Sequence, residues 1–287
     1  MRWAACRDTG SRWLSGSLCA MPERAWEWTR RIHFGAGRTV PLDFGAELWK
    51  RDASLYESTD GIIAALSRTE GPLDDGLILS HATGSLLDDV VDAAGGVESA
   101  HARLHQAIVL VQETVMRWSS TLGEMSDGSE MTDPSIDDAW YTVEELLVWA
   151  RTLDERLQRP ANDKKKRYPE QGLIPALAEG PRRDAVIAAR ARLRSAGVNE
   201  ARYLAGLNLH MQSTQAGSKL GRMRSGRIVL PFPDQVTAQV SHRHQLTYNE
   251  NRDVVSFADG LMAAVERFMD ELICAFEEHL PERFKTA

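Results

Sequence analysis

The run RDVVSFADGLMAAVERFMDELICAFEEH, residues 252–279, decides the fold. Val254, Phe257, Leu261, Val265, Phe268, Leu272 and Phe276 recur at intervals of three or four residues. Side chains so spaced share one face of an α-helix, so the run reads as a long helix with one apolar stripe. Asn251 or Asp253 can cap its start, and Pro281 stops it. Cys274 falls inside the apolar run and reads as a small core residue.

The same period appears twice upstream. Leu104, Ile108, Val111, Val115, Trp118 and Leu122 mark a helix over Val97–Met125. Ile136, Trp140, Val143, Leu147, Ala150, Leu153 and Leu157 mark another over Ser135–Arg159. That second helix has acids at its start (Asp137, Asp138) and arginines at its end (Arg156, Arg159), as the helix dipole favours. Between it and the last helix lies a split one. Gly180-Pro181 opens an arginine-studded segment, Gly197 closes it, and Asn199 is a good N-cap for a continuation over Glu200–Gln212. Four helices, each needing to bury one face, pack most simply as a bundle.

The expectation is therefore a mainly α protein: a four-helix up-and-down bundle over residues 97–281, with a small β-hairpin insertion at 225–248 before the last helix. In the insertion, Ser225-Gly226 is a turn, and Ile228-Val-Leu230 is a strand that Pro231 and Pro233 confine to an edge. Val236–Val240 or Gln245–Tyr248 would be its partner. Residues 1–45 read as an irregular N-terminal segment punctuated by Gly35, Gly37 and Pro41, the first 20 as a tail that could precede a true start at Met21. Residues 46–96 read as short helices packing on the bundle, including Ser85–Ala94, closed by Gly95-Gly96.

Composition excludes several classes. A chain of 287 residues can bury a core without staples. Three cysteines without Cys-x-x-Cys spacing fit a reduced, cytoplasmic protein rather than a disulfide scaffold. No apolar run spans a bilayer, so no membrane partner is expected. Gly35-Ala-Gly37-Arg38 lacks the third glycine of a dinucleotide site, and neither a phosphate-binding P-loop nor a Gly-x-Ser-x-Gly elbow occurs. No cofactor is expected. His101 and His105 stand four apart on one helix face, as metal ligands would, but no partner motif stands out on the other helices. No metal is expected either.

Charge is unevenly spread. The net charge is −7, yet Pro160–Arg227 holds fourteen Lys/Arg against five Asp/Glu, a balance of +9 that leaves −16 on the remainder. Such asymmetry points to an anionic partner such as RNA, or else to a solvated basic helix face and loop. Inside this basic stretch lies Arg202-Tyr-Leu-Ala-Gly-Leu-Asn-Leu-His210, followed by the glycine-rich loop Ala216–Gly226. On an ideal helix residues eight apart differ by about 80° and 12 Å, so Arg202 and His210 can address one groove without touching. An arginine can hold a phosphate, and a histidine titrates near neutrality. Arg202 and His210 are the candidate catalytic residues. Arg190, Arg192, Arg194, Lys219 and Arg222 are candidate phosphate or RNA contacts. The structural alternative makes Arg202 a surface charge and His210 a boundary residue.

Long helices in a four-helix bundle, with an Arg and a His at the end of the third, resemble HEPN-type domains over about residues 97–281. The resemblance implies a dimer that brings two such motifs together to cleave RNA without a metal. In the family's ribonucleases a polar residue, commonly Asn, often follows the arginine. Here seven residues separate Arg202 from His210, and Ala205 and Gly206 stand where an Arg-Asn pair would be expected. Two functions follow: a metal-independent endoribonuclease or RNA-binding protein of a toxin or defence type, or a non-enzymatic interaction and dimerisation module. The six tryptophans among the first 118 residues suit a contact surface, or the packing of the N-terminal segment on the bundle.

Overall fold

The computed structural model describes Arg24, Ala25, Glu27, Trp28 and Arg31, and residues 81–277 except 123–125, 160–170, 178, 208–220 and 241–244. The chain is mainly helical with a small antiparallel sheet. Helix α1 spans His81–Leu122, strand β1 Glu130–Met131 and helix α2 Pro134–Leu157. A short α3 (Leu173–Ala176) precedes α4 (Pro181–Leu193). A kinked turn, Arg194–Val198, in which Gly197 is non-helical, joins α4 to α5, Asn199–Leu207. Strands β2 (Gly221–Arg224) and β3 (Arg227–Val229) then lead to α6, Val254–Glu277. The bundle is α1, α2, the kinked α4–α5 and α6.

Its core is the sum of the apolar stripes. Leu104, Val111 and Val115 of α1, Ile136, Val143, Leu147 and Leu153 of α2, and Leu261, Val265, Phe268 and Leu272 of α6 are all buried. Neighbouring rods run antiparallel. Arg156 pairs with Asp89 and Arg103 with Glu145 across α1 and α2. Arg182 lies over Phe276, and Arg192 meets Glu271, across α4 and α6. Burial of Arg182 pushes its guanidinium below its ordinary range.

Several local expectations are corrected. Gly95-Gly96 does not end a helix, and α1 runs unbroken from His81 to Leu122, across the expected boundary at 96–97. The glycine serves contact instead: a Cβ on Gly96 would lie 2.2 Å from the Trp149 ring of α2. Asn199 is not an N-cap. It is helical itself, at φ −60°, ψ −45°. Gly197, at φ 128° and ψ −19°, is non-helical and breaks the path between α4 and α5, as expected of the residue that closes the first of them. Cys274 is exposed, not core, because it falls between Ile273 and Ala275 on the outer side of the stripe. Trp118, at 37% exposure, also lies off the buried face. Within the stretch expected to be irregular, Arg24, Ala25, Glu27, Trp28 and Arg31 are helical. Ala25 and Trp28 join the core, and Arg31 pairs with Asp270 at 2.9 Å. The expected tail (1–20), the other residues of the first 80 and four of the tryptophans lie outside the described residues.

The hairpin also differs. β3 pairs with β2, upstream of it, and β1 adds to the far edge of β2. Ser225 and Gly226 both take positive φ, 50° and 75°, which suits the two-residue turn whose twist matches a hairpin. Of the partners expected downstream, Thr247 contributes one bond, its carbonyl accepting from Asp234 N at 2.7 Å. Arg252 ties this region to α5, giving Nη1 to Glu200 Oε1 at 2.6 Å and Nη2 to Oε2 at 3.0 Å. Asp253, not Asn251, caps α6, accepting from Ser256 N at 3.2 Å.

Candidate functional site

Asp154 interrupts the apolar face of α2 beside Leu153 and Leu157, and its side chain is 2% exposed. A buried carboxylate needs partners, and three arginines converge on it. Arg190, from the last turn of α4, gives Nε to Asp154 Oδ1 at 2.8 Å. Its other nitrogens are also engaged: Nη1 donates to Gln158 Oε1, and Nη2 to the Gln158 carbonyl at 3.0 Å. Arg194 Nε lies 3.6 Å from Asp154 Oδ1 and donates to Asn199 Oδ1 at 2.8 Å. Arg202, from α5, approaches Asp154 Oδ2 with Nη1 at 3.5 Å.

The kink makes this convergence possible. Arg190 and Arg194 are four apart and share a face. The break at Gly197 reorients α5 relative to α4, and Arg202 from α5 reaches the same carboxylate. The three arginines do different jobs. Arg190 is buried and saturated. Arg194 and Arg202 keep 31% of their side chains exposed, at distances that hold them by charge attraction rather than by short hydrogen bonds. Three guanidiniums around one carboxylate leave two positive charges uncompensated within the group. Such an arrangement can accept an anion from solvent, and arginine forks match the oxygens of phosphate.

The other candidate residues sit elsewhere. Arg192 faces α6, its Nε 3.1 Å from each oxygen of Glu271. Arg222, on β2, pairs with Glu130 of β1 at 3.0 Å. His210 and Lys219 lie outside the described residues, as do the loop Ala216–Leu220 and the pair His242 and His244. The structure thus groups Arg190, Arg194 and Arg202 and leaves Arg192 and Arg222 apart. The sequence reading missed Asp154, whose signal was an acid within the apolar stripe of α2.

It missed a second acid too. On α1, His101 and His105 both direct Nε2 to a single oxygen, Oδ1 of Asp259 on α6, each at 2.8 Å. Burial raises the Asp259 carboxyl, but the two imidazole hydrogen bonds outweigh it and hold the group below its ordinary range.

No family model, curated protein or solved structure matches the chain. Among the described residues no helix is long and apolar enough to cross a membrane.

Proposed function

We propose that this chain binds RNA, with Arg194 and Arg202 as the phosphate contacts. The observation that supports this most directly is the shared carboxylate: three arginines on Asp154, two of them about one-third exposed. A fixed pair of guanidiniums is already desolvated in part and held in place, so a phosphate meeting it costs little ordering. The strongly basic balance of residues 160–227 would draw a polyanion to the same region. Arg190 in this reading is a positioning residue that anchors Asp154.

The reading extends to catalysis through the HEPN-type resemblance. Arg202 would stabilise charge on the phosphate while His210 moves the proton, with no metal required. The test is cleavage of labelled total RNA by the purified chain in EDTA, wild type beside His210→Ala and Arg202→Ala. Cutting by wild type and loss in both variants is expected of the nuclease. Binding without cutting by any of them leaves an RNA-binding protein. Neither binding nor cutting refutes the whole reading.

A second reading, self-association, is favoured by apolar side chains on the outer faces of α1 and α2. Val109, Leu110, Met116, Tyr141 and Val148 are each more than half exposed. Such residues scatter singly on many surfaces, but five on two adjoining helices suit a partner face. Sedimentation of the wild type beside Leu110→Glu would reveal it as a dimer that the charge dissociates.

A further inference from the structure

We propose that His101, His105 and Asp259 form a site for one divalent transition-metal ion of the zinc class, stapling α1 to α6. The inference is independent of the RNA reading and uses none of its residues.

The donor set is chemically apt. Two imidazole nitrogens and one carboxylate oxygen suit zinc and its neighbours among the first-row ions better than magnesium or calcium, which take mainly oxygen. The two histidines stand four apart on one face of α1, the spacing by which helices present paired imidazoles to zinc. The third donor comes from a different helix, across the bundle seam, so the set is tertiary rather than local.

The geometry is close to what binding needs. One donor atom from each residue lies within 4.8 Å of those of the other two, and both Nε2 atoms are 2.8 Å from Oδ1. Bonds of about 2.1 Å at tetrahedral or octahedral angles place ligand atoms about 3.0–3.4 Å apart. Small side-chain rotations therefore suffice. The rings already meet edge to face, with centroids 4.6 Å apart. An incoming ion would take the place of the hydrogens between the Nε2 atoms and Asp259 Oδ1, each neutral imidazole then carrying its one proton on Nδ1.

The surroundings leave the ion reachable. His105 and Asp259 are half-exposed, at 45% and 53% of their side chains, while His101 is more sheltered at 22%. A Cβ added at Gly260 beside Asp259 would meet nothing within 4 Å. Three protein ligands fill only part of a coordination sphere, so water or a small ligand would complete it, as at zinc sites that keep an open position.

The experiment uses the untagged 287-residue chain, stripped with chelator and titrated with zinc against a chromophoric competitor. Melting is followed with and without the ion. The expected result is one tightly bound zinc per chain and a rise in melting temperature, because a ligand held only by the folded state stabilises it. His105→Gln and Asp259→Asn change exposed side chains. Both should lose the zinc and the rise while melting near the wild-type temperature in chelator. His242→Gln/His244→Gln, which alters the other histidine pair, should keep both. Wild type that binds no zinc, or His105→Gln and Asp259→Asn that bind it as wild type does, would overturn the proposal.

Discussion

Removing Asp154 tests the architecture of the arginine site most severely. Asp154→Ala deletes the one carboxylate that Arg190, Arg194 and Arg202 share. The consequences differ by residue. Arg194 and Arg202 are partly exposed and can turn to water. Arg190 is only 9% exposed and cannot, so its charge stays buried with Gln158 as neutral support. Breaking a buried ion pair on one side costs about 3–5 kcal/mol, against a total stability of about 5–15 kcal/mol. In urea, at an m-value of about 3 kcal/mol/M, the midpoint should fall by about 1–1.7 M. Replacing the pair by apolar residues removes the stranded charge. Asp154→Leu/Arg190→Met should therefore recover at least about 2 kcal/mol relative to Asp154→Ala. A midpoint unchanged in Asp154→Ala, or a double variant no more stable than the single, would refute the reasoning.

Other outcomes follow from the same structure. Gly197→Ala should lose about 1–3 kcal/mol on chemical denaturation, because the residue sits at φ 128° although the nearest atoms, on Phe257 and Leu261, are at ordinary contact distances. Gly96→Ala should also destabilise, by up to about 2 kcal/mol. The added methyl drives into the Trp149 ring, and overpacking of about 1–3 kcal/mol exceeds the roughly 1 kcal/mol that alanine gains in a helix. Burial raises the Asp253 carboxyl above its ordinary 3.8, outweighing the cap bonds from Ser256 and Val255. The folded state thus holds that proton more tightly, and this contribution to stability is complete below 3.8 and lost as pH climbs through the raised value. Asparagine still caps, so Asp253→Asn should flatten the pH profile of urea midpoints in that acidic window.

The apolar stripes carried most of the fold in the sequence, because a period of three and four survives any arrangement of neighbours. Pro181 and Asp253 marked helix starts for equally local reasons. What failed depended on a distant partner. Gly95-Gly96 looks like a helix stop until Trp149 is placed against Gly96. Asn199 looks like a cap until Arg194 claims its side chain across the kink. β3 turned back on β2 because Ser225 and Gly226 adopt the paired positive φ of a tight hairpin.

The candidate site was legible on one side only. Arginines at 190, 194 and 202 stand out as charge on helices, and their spacing places the first two on one face. Their common partner lies 36 to 48 residues away, on another helix. Asp259 is more distant still, 158 residues from His101. Carboxylates are plentiful in this chain, and only the packing of the helices selects these two.

The central claim, that Arg194 and Arg202 meet phosphate, is tested most directly by the salt dependence of RNA affinity. Fluorescence anisotropy of a labelled single-stranded RNA across a salt series would compare wild type with Arg194→Gln/Arg202→Gln. Each phosphate contact on a single strand contributes about 0.7 to the slope of log affinity against log salt. The double variant should bind more weakly, with a slope about 1.4 shallower than wild type. An unchanged affinity and slope would contradict the assignment of this site to RNA.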